Sequence, residues 1–252
     1  MLRTLIFALL WLSSVSVANE VKFITVNWPP FYASDLPHNG FVAEIAREAL
    51  RRKGYKMDLS FTPLKRAKHL TRRGEVHALF GCWNSLENRT HYNMSKAPLA
   101  NGSGHFLAAK GSDFQGVRPE ELLGKRVGIV RGYTTSKQMQ GLFESGKVTR
   151  VEVSRIKQLL DLMQVGGRID LILENVFVAK HVFQQHYPDK TFGLEVVGED
   201  YIDGGLYICW AESNPEAHKM RVDFDEAIQS MINDGSIDRI ESRFGISLTS
   251  IQ

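Results

Sequence analysis

The apolar positions of this chain change period repeatedly, and the changes mark its elements. Val21–Val26 is a continuous β-rich run that predicts a buried strand. The prolines of Asn27-Trp28-Pro29-Pro30-Phe31-Tyr32 end it, because they cannot continue a ladder. Phe41–Lys53 then carries apolar residues at 41, 42, 45, 46, 49 and 50, a helical stripe stopped by Gly54. Lys56–Phe61 reads as a strand, and Pro63 opens a helix that ends near Arg73-Gly74. Ala78–Cys82 is the third strand. A βαβαβ order of this kind predicts a mostly parallel sheet covered by helices.

After a strand at Gly104–Ala109 the pattern begins again. It predicts a short helix at Pro119–Leu123, a strand at Arg126–Val130, and a helix at Lys137–Phe143 entered through Gly132-Tyr133-Thr134-Thr135-Ser136. A strand at Arg150–Val153, a helix at Ile156–Val165, a strand at Asp170–Leu173, a helix at Val176–His186 and a strand at Leu194–Val197 complete this half. Gly74–Phe80 and Gly167–Leu173 share a pattern of glycine, charge and apolar strand, an echo that fits two lobes of similar build. Leu206–Trp210 is a further strand, followed by helices at Pro215–Gly235 and Ser236–Phe244. These last elements make no complete domain, so they are expected to return to the first lobe. The expected division is 19–107 with 206–252 as lobe 1 and 108–205 as lobe 2, joined by two crossing segments that form a hinge.

Residues 1–18 are expected to stand outside the fold. Arg3, the apolar Leu5–Leu12 and the small Ser16-Val17-Ala18 make a secretory signal peptide, with cleavage after Ala18 into the periplasm. The net charge falls from +3 to +2 with Arg3 removed, and the basic residues are scattered. No basic stripe interleaved with aromatics is present, which argues against nucleic acid. Two cysteines, Cys82 and Cys209, fall on apolar strands. Buried thiols and a single bridge both fit. The chain has no Gly-x-Ser-x-Gly elbow, no His-Glu-x-x-His, and no phosphate or dinucleotide loop, so neither catalysis nor a cofactor is indicated.

Candidate chemistry gathers at four strand ends: Trp28–Phe31, Gly81–Arg89, Gly132–Ser136 and Glu174-Asn175. Ligands in open α/β sheets sit at such ends, and preferentially at domain interfaces. Arg89 offers a planar fork of donors for a carboxylate. Thr134 and Thr135 lead into a helix, where free N–H groups and hydroxyls hold anions or simply cap the helix. Glu174 is placed to meet a cation, to act as an acid or base, or to cap the next helix.

Several stretches together carry a family resemblance. They are Trp28-Pro29-Pro30-Phe31 with Gly40-Phe41, Gly74 through Phe80, Glu87-Asn88-Arg89 leading to Ser95-Lys96-Ala97-Pro98, Leu123 through Gly132, and Asn233–Ile237 with Phe244-Gly245. In their order and spacing they resemble the bacterial extracellular solute-binding proteins of family 3, the amino-acid-binding receptors of ABC importers. The resemblance implies a two-lobe, type II periplasmic-binding-protein fold, α/β throughout, closing like a flytrap on a small polar solute. It implies a monomer that docks on a membrane permease, or alternatively on a sensor kinase. By position it puts Arg89 on the ligand carboxylate, Trp28 over the ligand, Asn84 along the first lobe and Thr134 beside the carboxylate. Asn175 stands where the family has an ammonium-binding aspartate, and a neutral amide there favours a carboxylate ligand over an amino acid. Leu64 and Tyr133 replace the residue types common at their positions. The expected lining is therefore Trp28, Phe31, Leu64, Gly81, Cys82, Asn84, Arg89, Val130, Tyr133, Thr134, Thr135, Glu174 and Asn175. An enzyme on the same fold, resembling cyclohexadienyl dehydratases, is the alternative, with Glu174 as its acid/base.

Overall fold

Two mixed sheets, each flanked by helices, make up the computed structural model, which describes residues 19–114, 117–118, 120–164, 168–198 and 204–244. The expected signal peptide lies outside these residues. The first sheet has the order β2-β1-β3-β11-β4, with β5 also paired to β11. Its strands are β1 (Asn19–Thr25), β2 (Tyr55–Phe61), β3 (Ala78–Trp83), β4 (Tyr92–Met94), β5 (Ala100–Asn101) and β11 (Gly205–Ala211). The second has the order β10-β6-β9-β7-β8, from β6 (His105–Ala109), β7 (Arg126–Val130), β8 (Thr149–Val153), β9 (Leu171–Glu174) and β10 (Leu194–Val196).

The echo between Gly74–Phe80 and the 167–173 stretch is realised in topology. In the first sheet β1 pairs in parallel with β2 and β3, and in the second β7 pairs in parallel with β8 and β9. Beside β3 and β9 lie the crossing strands β11 and β6, both antiparallel. Each sheet is thus mixed rather than mostly parallel, because a strand arriving from the other lobe enters from the opposite end. All of β6 belongs to the second sheet, including 105–107, which the sequence reading places in the first lobe.

Helix α1 (Phe41–Arg52) buries Phe41, Val42, Ile45, Ala46, Ala49 and Leu50 along the stripe its sequence shows, and ends at Gly54 in the left-handed region. Helix α2 (Leu64–Arg72) covers β1 and β3, while α7 (Ala217–Asn233) and α8 (Ser236–Arg243) pack against α1. A run of aromatic contacts ties this lobe together. Phe23 lies 5.8 Å from Phe80 and 5.4 Å from Trp210, which in turn meets Phe224 of α7 at 5.7 Å. The second lobe packs α4 (Lys137–Glu144), α5 (Ile156–Gln164) and α6 (Val176–His186) around Leu107, Ile129, Leu159, Leu160 and Leu173, all essentially inaccessible.

Two stretches depart from the sequence pattern. Residues 120–124 form a turn, not the helix expected over Pro119–Leu123; Gly124 there takes a positive φ and its N–H bonds Lys147 O. Pro119 itself lies outside the described residues. Between β3 and β5, where the sequence pattern shows no element, the chain forms the short helix α3 (Leu86–His91), capped by the Ser85 hydroxyl, and then β4. Cys82 and Cys209 are joined in a disulfide between β3 and β11, beside the irregularity at Tyr207/Ile208. No helix among the described residues is long and apolar enough to cross a membrane.

Candidate functional site

The ends of β1, β3, β7 and β9 meet between the lobes, and the loops that follow them touch across the gap. Trp28 comes from the first lobe. Its loop contains a cis Pro29-Pro30 bond and is tied by Trp28 N–H to Tyr32 O at 2.7 Å. The indole stacks on Phe31 with centroids 4.6 Å apart and meets Trp83 edge-on at 5.9 Å. Gly102 is the residue behind the ring: a Cβ there would lie 2.8 Å from the indole, so only glycine lets Trp28 seat.

From that seat Trp28 Nε1 donates across the cleft to Glu174 Oε1 at 3.0 Å. Glu174 ends β9 and is fully buried. Tyr133 Oη donates to its Oε2 at 2.9 Å, and the Asn175 N–H to its Oε1 at 2.8 Å. Burial pushes the carboxyl up to about 7, against the pull of these three donors. Tyr133 also packs edge-on against Trp83 at 5.6 Å, a second contact between lobes.

The other crossing contact is charged. Lys68 of α2, only 9 % exposed, donates to both oxygens of Glu87 at 3.2 and 3.3 Å and to Thr134 Oγ1 at 3.1 Å. Thr134 in turn donates to Glu87 Oε2 at 3.0 Å, and Arg72 Nη2 reaches Glu87 Oε1 at 2.8 Å. Burial pushes the Lys68 ammonium below the usual lysine range, and Glu87 only partly restores it. Burial also acts to raise Glu87, but Lys68, Thr134 and Arg72 outweigh it and hold that carboxyl low. The asymmetry follows from Glu87 having a second cation and more solvent than Lys68.

These contacts border a small pocket that is still partly open to solvent. Of the residues expected from the sequence, Trp28, Leu64, Gly81, Cys82, Tyr133 and Thr134 line it. Gly81 has φ of 72°, and any side chain there would strike the Tyr32 ring, whose hydroxyl bonds Gly81 O at 3.1 Å. The remaining expected residues stand elsewhere. Arg89 is exposed, its guanidinium turned onto Asn84 Oδ1 at 2.6 Å, and Asn84 is exposed with it. Successive helical side chains point about 100° apart, so with Asn88 facing the cavity Arg89 faces away. Phe31 backs Trp28, and Val130 belongs to the second lobe's core. Thr135 is half-buried outside the cavity. Asn175 caps α6, accepting from the N–H groups of Phe177 and Val178 and donating to Ser103 O.

Sequence reasoning missed Lys68, Asn88, Trp83 and Tyr32 among the lining residues. Lys68 was legible: Leu64, Ala67, Lys68 and Thr71 form one helical face, with a lysine where an apolar residue belongs. Asn88 is 2 % exposed; its Nδ2 donates to Trp83 O at 2.8 Å, while its Oδ1 has no partner.

Residues 22–246 match the model of the bacterial extracellular solute-binding proteins, family 3. The chain belongs to this family. No curated protein sequence matches it. Among solved structures, it is similar to an ancestral arginine-binding protein bound to arginine, at 19 % identity and a TM-score of 0.72 over 89 % of this chain and 97 % of that one. It also resembles the GluR0 ligand-binding core from Nostoc punctiforme in complex with (L)-glutamate, at 17 % identity and a TM-score of 0.71 over 88 % and 98 %. An arginine transport periplasmic binding protein from Legionella pneumophila matches at 15 % identity and a TM-score of 0.69, over 90 % and 99 %. At these identities the likeness establishes the type II fold of a solute-binding protein, and the neighbours are binding proteins rather than enzymes.

Proposed function

We propose that this family 3 protein, exported to the periplasm, captures a small carboxylate-bearing solute between its lobes and delivers it to the permease of an ABC importer. The observation that carries the reading is the meeting of the Lys68 ammonium and the Thr134 hydroxyl, from opposite lobes, at the wall of a cavity otherwise lined by aromatic and apolar side chains and Asn88. A cation and a hydroxyl brought together by closure recognise an anionic group and are separated when the lobes open. Glu87 now occupies both donors. A solute carboxylate would replace it there, leaving Glu87 paired with Arg72.

The solute's other end is less polar than an amino acid's. Asn175 is used up as a helix cap, and both Glu174 oxygens are engaged, which among the described residues leaves no free carboxylate beside the cavity for an ammonium. The walls offered to that end are Trp28, Tyr32, Trp83 and Tyr133. The arginine and glutamate named for the neighbouring structures share a carboxylate with this class, and aromatic or aliphatic carboxylates fit these walls better. The contacts between Trp28 and Glu174 and between Lys68 and Thr134 bridge the lobes over this pocket, so entry of a solute needs the lobes to open.

The test is mass spectrometry of whatever co-purifies with the protein, followed by calorimetry against a panel of aliphatic and aromatic carboxylates, amino acids, amines and neutral sugars. Carboxylates should bind. Heat with amines or sugars alone would overturn the assignment. Loss of solute uptake in cells lacking the protein separates delivery to an importer from presentation to a sensor kinase.

A further inference from the structure

Among the described residues, Glu174 is the one carboxylate that bonds across the cleft without any cation to balance it. It makes no ion pair among the described residues, and the groups that donate to it are an indole, a phenol and a backbone amide, all neutral. No lysine or arginine is among the groups that act on its carboxyl; Arg126, Arg131 and Lys180 belong to the neighbouring elements but make no ion pair with it. Trp28 and Tyr32 face it from the first lobe, Tyr133 from the loop after β7, and His105 from the neighbouring strand β6, where the two are register partners. The His105 Nδ1 is occupied, accepting from the Val176 N–H at 3.1 Å. Its cover is also divided between lobes: Tyr133 and Asn175 travel with Glu174, whereas Trp28 leaves with the other lobe when the cleft opens. Opening therefore removes one donor and admits water to the carboxyl.

We propose that Glu174 is a positioning residue for closure, which through Trp28 couples the approach of the two lobes to the uptake of one proton, so that acid favours the closed form. This rests on the reading above that the lobes open and close about this cleft. The physical reason is desolvation. An ionised carboxylate loses its water when Trp28 covers it and gains no counter-charge, whereas the neutral acid loses little and still bonds the indole and the phenol. The same desolvation pushes the buried carboxyl up to about 7 from an ordinary 4.5. A group with the higher pKa in the closed form binds its proton there more tightly, so closure strengthens as pH falls through 7 and the gain saturates below 4.5. From about pH 8.5 to about pH 5.5 the closed-to-open ratio should rise roughly thirtyfold.

The experiment uses the solute-free protein, so that its outcome is independent of which solute binds. Small-angle scattering across that pH range should show a radius of gyration that shrinks as pH falls, and Glu174→Gln, isosteric and always neutral, should remove the pH dependence while staying compact throughout. In parallel, infrared spectroscopy of the unmodified protein should show a buried carboxyl titrating near 7, a readout that needs no variant to fold. A radius that does not change with pH, a pH dependence that persists in Glu174→Gln, or the lack of any carboxyl titrating well above 4.5 would each overturn the proposal. Failure of every carboxylate to bind would instead count against the solute assignment and leave these measurements standing.

Discussion

Lys68→Met separates the cation that lines the cavity from the one the sequence puts forward. Methionine keeps an apolar stem at the pocket wall while deleting the ammonium and its three contacts. Removing one partner of a fully buried ion pair costs about 3–5 kcal/mol, because the other charge is stranded. Here Glu87 is 40 % exposed and retains Arg72 and Thr134, so the loss of folding stability should be only about 1–2 kcal/mol. The loss of solute binding should be larger. Truncating a buried charged contact to a ligand costs roughly 2–5 kcal/mol, which is about thirtyfold to several thousandfold in affinity. Calorimetry with the carboxylate that binds the unmodified protein, beside urea unfolding of each variant, reads both quantities. Arg89→Ala is the companion: its guanidinium is exposed and bonded only within its own loop, so affinity should change by less than about threefold. Full binding by Lys68→Met, or its loss in Arg89→Ala, would refute the placement of the anion at Lys68 and Thr134.

Reduction of Cys82–Cys209, or replacement of both cysteines by serine, should lower stability by about 4–5 kcal/mol, since the bridge closes a separation of 127 residues; the urea midpoint with and without reductant checks this. Gly81→Ala should destabilise the protein by about 2–4 kcal/mol and weaken solute binding, because it combines a left-handed backbone with a methyl pushed into Tyr32. Denaturant unfolding and calorimetry on that one variant report both effects. Trp28→Phe should keep the stack on Phe31 but lose the donor to Glu174, so its scattering profile should shift toward the open form at every pH.

The strands and long helices were legible because each buries a stripe whose period survives in sequence: α6 and β7 have the bounds their patterns show. The small elements were not. β5 has two residues and β4 three, and both exist only as partners of β11, a strand more than a hundred positions away. No local pattern encodes such pairing. The site divides in the same way. Trp28, Gly81 and Thr134 follow from strand ends and turn residues, but whether residue 88 or 89 looks inward depends on the phase of a six-residue helix fixed by the Ser85 cap. Lys68 was hidden by habit rather than physics, since a charged residue on an otherwise buried helical face marks a paired interior group.

The disulfide has a consequence in time. A chain made from its N-terminus presents Cys82 long before Cys209, and every strand of the second sheet lies between them. Until β11 arrives, β3 lacks a neighbour on one side and Cys82 remains a free thiol beside the unfinished cavity. Formation of the bridge therefore records that the second lobe has already been made and that the last strand has found its place.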